Sequence, residues 1–156
     1  ELDHERARKE YAGGYDRTYR VLGLAILLNL DEEQTRPIAR SVDLFGRYDA
    51  IWEIMLAELG HRNRQPVDAL LWPEAYASLL EALHIGPPDN AAALQRFVEN
   101  WYPSMGETAW HNSHRSKQPT YAGYWCFEAA AAARIRGIDF SAVGRHPHFP
   151  ADLVAA

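Results

Sequence analysis

Apolar residues along this chain recur mostly three and four positions apart, and no stretch of any length alternates apolar with polar at a period of two. That spacing builds helices with one side turned to a core, and it gives no strands. The expected fold class is therefore all-α, a single-domain helical bundle of about six helices with a long ordered loop before the last long helix. From Arg17 to Leu30 the pattern is apolar almost all round, with Tyr19, Val21, Leu22, Leu24, Ala25, Ile26, Leu27 and Leu28, as for a central helix covered by others. The charged stretch from Leu2 to Glu10 reads as a more exposed helical lead-in, and Gly13-Gly14 weakens the case for one unbroken helix.

A second helix is expected from about Glu32 to Gly46, entered by an acidic turn, with Ile38, Val42 and Phe45 inward and Pro37 near its first turn or bending it. Asp49 fits the N-cap of a third, in which Ile51, Trp52, Met55, Leu56 and Leu59 face inward and Gly60 stops the chain. After a turn-rich stretch, Pro73 opens a fourth helix with the stripe Tyr76, Leu79, Leu80 and Leu83. Past Pro87-Pro88-Asp89, Leu94, Phe97, Val98 and Trp101 repeat the same spacing. Pro103 to Pro119 is a long connection rich in Ser, His, Gly and Asn, and its Trp110 is expected to pack back on the domain.

The run from Tyr121 to Gly137 places a carboxylate within an aromatic and alanine segment. As a helix it puts Tyr121, Tyr124, Trp125, Glu128, Ala132 and Ile135 on one face, so Glu128 points at the core. A charge there is costly unless paired and hydrogen-bonded. Glu128 is thus either a structural anchor, bonded by His114, a tyrosine hydroxyl or an arginine, or a catalytic acid. The alanines from Ala129 to Ala133 fit close helix packing.

Composition narrows the function. The chain has 156 residues, enough for one domain with a proper core and short for two. A formal charge of -5 argues against direct nucleic-acid binding. Cys126 is the only cysteine, so an internal disulfide, a Cys-based zinc site and a redox pair are all excluded, and a reducing compartment fits. The longest apolar run, Val21 to Leu30, is far short of the roughly 20 residues a membrane span needs.

Catalytic motifs are lacking: no nucleophile elbow, P-loop or dinucleotide fingerprint occurs. The candidates for chemistry are His111, His114, Glu128, His146 and His148, and they allow a metal-dependent hydrolase as the alternative reading. The preferred expectation is no catalytic residue, no metal and no cofactor. Charge is more informative, because Gln65 to His114 carries six acids, Asp68, Glu74, Glu81, Asp89, Glu99 and Glu107, against the single base Arg96. Such a face is either a solvated surface or one that captures a basic partner.

Four features in the last third of the chain carry a family likeness: Trp101-Tyr102, Trp110 with Ser113-His114, the segment Tyr121 to Ala130, and Phe149-Pro150-Ala151-Asp152-Leu153-Val154. In order and spacing they resemble the C-terminal domain of the PoNi immunity proteins. The resemblance marks Trp101, Tyr102, Trp110, His114, Tyr121, Gly123, Tyr124, Trp125, Glu128, Pro150 and Asp152 as the family's structural motif.

It departs in two places, Asp139-Phe140-Ser141 in place of Asp-Asp-Ser and Phe149 in place of Tyr, both expected to touch surface or capping detail more than the core. The family's N-terminal domain is not evident, as for a trimmed or short member. What the resemblance implies is an α-helical, cytoplasmic immunity protein that binds a cognate toxin, typically a DNase delivered by a type VI or other contact-dependent secretion system. Such a protein acts by occlusion, and the six acids are the expected contact with the basic nuclease domain.

Overall fold

The computed structural model describes the backbone of residues 2–156 and the side chains from Gly14 onward. It is all-α, with seven helices and no strand among the described residues. They are α1 (Leu2–Leu27), α2 (Glu32–Phe45), α3 (Ala50–Glu58), α4 (Pro73–His84), α5 (Asp89–Ser104), α6 (Phe127–Arg136) and the short α7 (Ala151–Ala155). The backbone of α1 runs unbroken through Gly13-Gly14.

Local sequence sets most of these boundaries. Asp31 and Gln34 cap α2 reciprocally, each side chain accepting the other residue's backbone N–H, and Gly46 ends it in the left-handed region at φ 65°. Pro37 is accommodated inside α2. Asp49 caps α3 through the N–H groups of Ile51 and Trp52. Pro73 opens α4, where its missing N–H removes no helical bond.

The centre of the bundle is α6 rather than α1. Ala129 to Ala133 are all buried, and with methyl side chains they let α1 close on one side while the antiparallel pair α4 and α5 closes on the other. In contrast, α1 leaves Val21 and Leu28 exposed, so it covers the core from one side. It still supplies Tyr19, Leu22, Ala25, Ile26 and Leu27 to the interior. The inward stripes of α3, α4 and α5 are buried as their spacing predicts, except that Leu80 is only half-buried; on α2, Val42 is buried while Phe45 is exposed.

The segment 121–126 is not helical. Gly123 sits at φ +86°, where the Cβ of any other residue would fall 2.7 Å from the Trp125 indole nitrogen. The Cys126 N–H donates to the His148 carbonyl at 2.8 Å, and His148 Nδ1 meets the Tyr124 carbonyl at 3.0 Å. These backbone groups are spent on the C-terminal turn, so α6 begins only at Phe127.

Candidate functional site

Glu128 lies in the first turn of α6, where the helix dipole favours a negative charge, and it is 0% exposed. Its Oε1 accepts from the Tyr76 hydroxyl and from the Trp101 indole N–H, each at 2.9 Å. Oε2 is buried without a hydrogen-bond partner among the described residues. Burial raises the pKa of Glu128, against the opposing pull of Tyr76, Trp101 and the charge on Arg20. Of the three donors the sequence allowed, the tyrosine hydroxyl is the one present; the indole was not foreseen.

From Glu128 a polar chain crosses the core. Tyr76 stacks on Tyr19 with ring centroids 3.6 Å apart, and the Tyr19 hydroxyl donates to Asp49 at 2.5 Å. Asp49 also accepts from the Leu71 N–H at 2.8 Å, so one carboxylate caps α3, anchors α1 and fixes the segment before α4. Burial raises its pKa too, opposed by these four donors.

Trp101 links this interior to the surface. Its ring stacks on Trp110 at 5.4 Å and meets His148 at 5.7 Å, while Trp110 donates to Asp16 of α1 at 2.5 Å. Tyr102 packs on His111 at 4.3 Å and donates to Asn112 at 3.0 Å. The Tyr124 hydroxyl receives the His114 N–H at 3.0 Å. The loop is therefore tied to the core through Trp101 and Asp16, and the C-terminal turn through Trp101 and the bonds of His148 to Cys126 and Tyr124.

The face drawn from Tyr121 to Ile135 is also corrected. Tyr121 and Trp125 are 54% and 43% exposed, because their segment is extended and does not continue α6. Pro150 is buried and Asp152 exposed. The substitution site Phe149 belongs to the core after all, at 3% exposure with its ring 5.6 Å from that of Phe140.

The hydrolase alternative needs the histidines to converge on Glu128. Instead His114 is held by Tyr124, and His148 by Tyr102, Trp101 and the Tyr124 carbonyl. No group of three or more His, Cys, Asp or Glu side chains with metal-binding geometry occurs among the described residues. Glu128 itself has no exposed surface.

All six acids from Asp68 to Glu107 are exposed. Glu81 of α4 receives Arg96 of α5 at 2.7 Å, so the single base of that segment is engaged across the helix pair. Glu99 accepts from Gln95 at 2.8 Å and lies close enough to His146 to pull its pKa upward, although burial and His148 hold that pKa down overall. No helix among the described residues is long and apolar enough to cross a membrane.

These features define an all-α domain whose exposed chemistry is a charged and aromatic surface, with the buried carboxylates of Glu128 and Asp49 bonded inside the core. The sequence model for the C-terminal region of the PoNe immunity proteins (PoNi) matches residues 47–153, and the chain belongs to that family. It is accordingly an immunity protein, a binder of a cognate toxin. No curated protein and no solved structure matches the chain. The matched region begins after α2, although α1 is built into the same core.

Proposed function

We propose that this immunity protein neutralises a nuclease toxin by laying the acidic surface of α4, α5 and the following loop over the toxin's basic active-site face. The observation that carries this reading is the segregation of charge: six exposed acids stand in a segment whose single arginine is already paired with Glu81. A cleft that holds a phosphate backbone is lined with cations, and an acidic surface competes for it with fast, salt-sensitive association. Occlusion of this kind asks for no catalytic group. The likeness to the PoNi family favours a DNase delivered by a type VI or similar contact-dependent system and met in the cytoplasm.

Asp68, Glu74, Glu81, Asp89, Glu99 and Glu107 are the proposed contacts. The test replaces Glu74, Glu81, Glu99 and Glu107 together by lysine and measures toxin affinity across a salt series. A loss of tenfold or more with a flatter salt dependence is expected, since close interfacial charge pairs contribute about 1.5 kcal/mol or more each. Unchanged affinity and salt dependence would place the interface elsewhere.

A further inference from the structure

Between α1 and the loop 109–120 lies a cleft of about 500 Å³ that the acidic surface does not include. Its walls are apolar: Val21 and Leu24 of α1, Phe127 of α6 and the ring of Trp110. Arg20 lies across that ring, its guanidinium carbon 4.9 Å from the centroid, which fixes the cation in place by cation–π contact. Its Nε is buried and has no hydrogen-bond partner among the described residues. A second arginine, Arg17, stands exposed at the same cleft, with Ser113 and Thr120 adding hydroxyls.

A fixed guanidinium at the edge of an apolar cleft is well matched to an anion, because its planar fork binds carboxylate or phosphate through parallel N–H bonds. The apolar walls decide between the two anions. The Asp16 carboxylate at the same cleft is 1% exposed and half-engaged by Trp110, and it offsets part of the arginine charge for either anion. A carboxylate carried on a short aliphatic stem buries that stem against Val21, Leu24 and Phe127, which inorganic phosphate cannot do.

We propose that this cleft is a carboxylate-recognition site that receives an acidic side chain of the bound toxin, held by Arg20 with Arg17 at the rim. The identity of the partner rests on the toxin-binding reading above; the chemistry of the cleft does not. The occupant is thus opposite in charge to the basic surface met by α4 and α5, and the two contacts together fix the orientation of the complex.

The probes are N-acetylglutamate amide, its neutral isostere N-acetylglutamine amide, and inorganic phosphate. Each is titrated into the whole protein while the Trp110 Nε1–H and Arg20 Nε–H resonances are followed by NMR. A saturable shift with the glutamate probe is expected, with the glutamine probe weaker by about tenfold, as loss of a charge-assisted fork predicts, and phosphate weaker because it has no aliphatic stem to bury on the walls. Arg20→Gln abolishes the shift, Arg20→Lys weakens it, and Arg96→Gln, far from the cleft on α5, leaves it intact.

Equal binding of the glutamine probe, an unchanged shift in Arg20→Gln, or no saturable shift in the unaltered protein would each overturn the site. Tighter phosphate binding would overturn the carboxylate assignment. Because this titration contains no toxin, its failure leaves the acidic-surface reading standing, and failure of the charge-reversal test leaves the cleft standing.

Discussion

The hydroxyl of Tyr76 and the carboxylate of Glu128 meet 2.9 Å apart in the interior, across 52 positions of sequence, and join the α4–α5 pair to the central helix α6. Glu128 has neutral donors for partners, Tyr76 and the Trp101 indole, with Arg20 acting on it only through its charge.

That relationship separates two substitutions. Glu128→Ala leaves the Tyr76 O–H and the Trp101 N–H buried without an acceptor, at about 1–3 kcal/mol each. Glu128→Gln keeps a carbonyl acceptor and removes the buried charge, so its stability stays within about 1 kcal/mol of the parent or exceeds it. Urea unfolding of both variants measures the difference; equal losses would show that the charge itself is required.

The raised pKa of Glu128 also gives a slope with pH. Between its ordinary carboxylate range and its raised folded-state value, the folded protein binds more protons than the unfolded chain. The contribution is therefore complete at low pH and is lost as pH rises through the folded-state pKa. Asp16 and Asp49, whose pKa values are raised by burial as well, add slopes of the same sign. Stability curves of the parent and of Glu128→Gln should converge on acidification and separate toward neutral pH, with Glu128→Gln the less pH-dependent; parallel curves would contradict the assignment.

Two glycines of α1 should respond to alanine with opposite signs. A Cβ on Gly23 would stand 2.8 Å from the Glu128 backbone nitrogen and 2.9 Å from its Cα, and backbone cannot step aside as a flexible side chain does. Gly23→Ala is expected to cost about 1–3 kcal/mol. At Gly14 an added Cβ meets nothing within 4 Å, so Gly14→Ala should gain about 0.5–1 kcal/mol from helix propensity. Thermal melts of the pair test both signs.

Arg64 bridges three parts of the fold, with Nε 2.5 Å and Nη2 3.0 Å from Glu53 of α3, and Nη2 2.9 Å from Asp43 of α2. Glu53 is only 7% exposed, so Arg64→Ala strands a nearly buried charge and is expected to cost about 3 kcal/mol in chemical denaturation. Asp43→Ala, at the exposed end, should cost under about 1 kcal/mol.

A fragment of residues 47–156 keeps the whole family match and loses α1 and α2. Removing Tyr19, Leu22, Ala25, Ile26 and Leu27 uncovers the alanine face of α6 and takes away the hydrogen bond from Tyr19 to Asp49. The fragment is expected to lack a cooperative unfolding transition, and one comparable to that of the full chain would show that α1 and α2 are dispensable.

Much of the fold was legible because its devices are local. The Asp49 cap, Pro73 at a helix start and the buried positions of α5 each follow from a few neighbouring residues. The segment before α6 was misread because the spacing of Tyr121, Tyr124 and Trp125 matches a helix by position alone. What overrides it is Gly123 in a left-handed conformation and hydrogen bonds to His148, 22 positions beyond Cys126, which no local pattern reveals. Exposure of the six acids was legible, since charged side chains off an apolar stripe face water. The cleft was not: Asp16 and Arg20 look like ordinary helix-surface charges until Trp110 arrives from 94 positions away.

Trp101 gives its N–H to the buried acid and the two faces of its surroundings to Trp110 and His148. One rigid indole is thus shared by the innermost polar group and the outer loop. A partner that displaces the loop must either unstack Trp110 or pull on the Glu128 hydrogen bond, so the surface is stiffened from within, and the entropy of ordering that loop is lost on folding rather than at the encounter with the toxin.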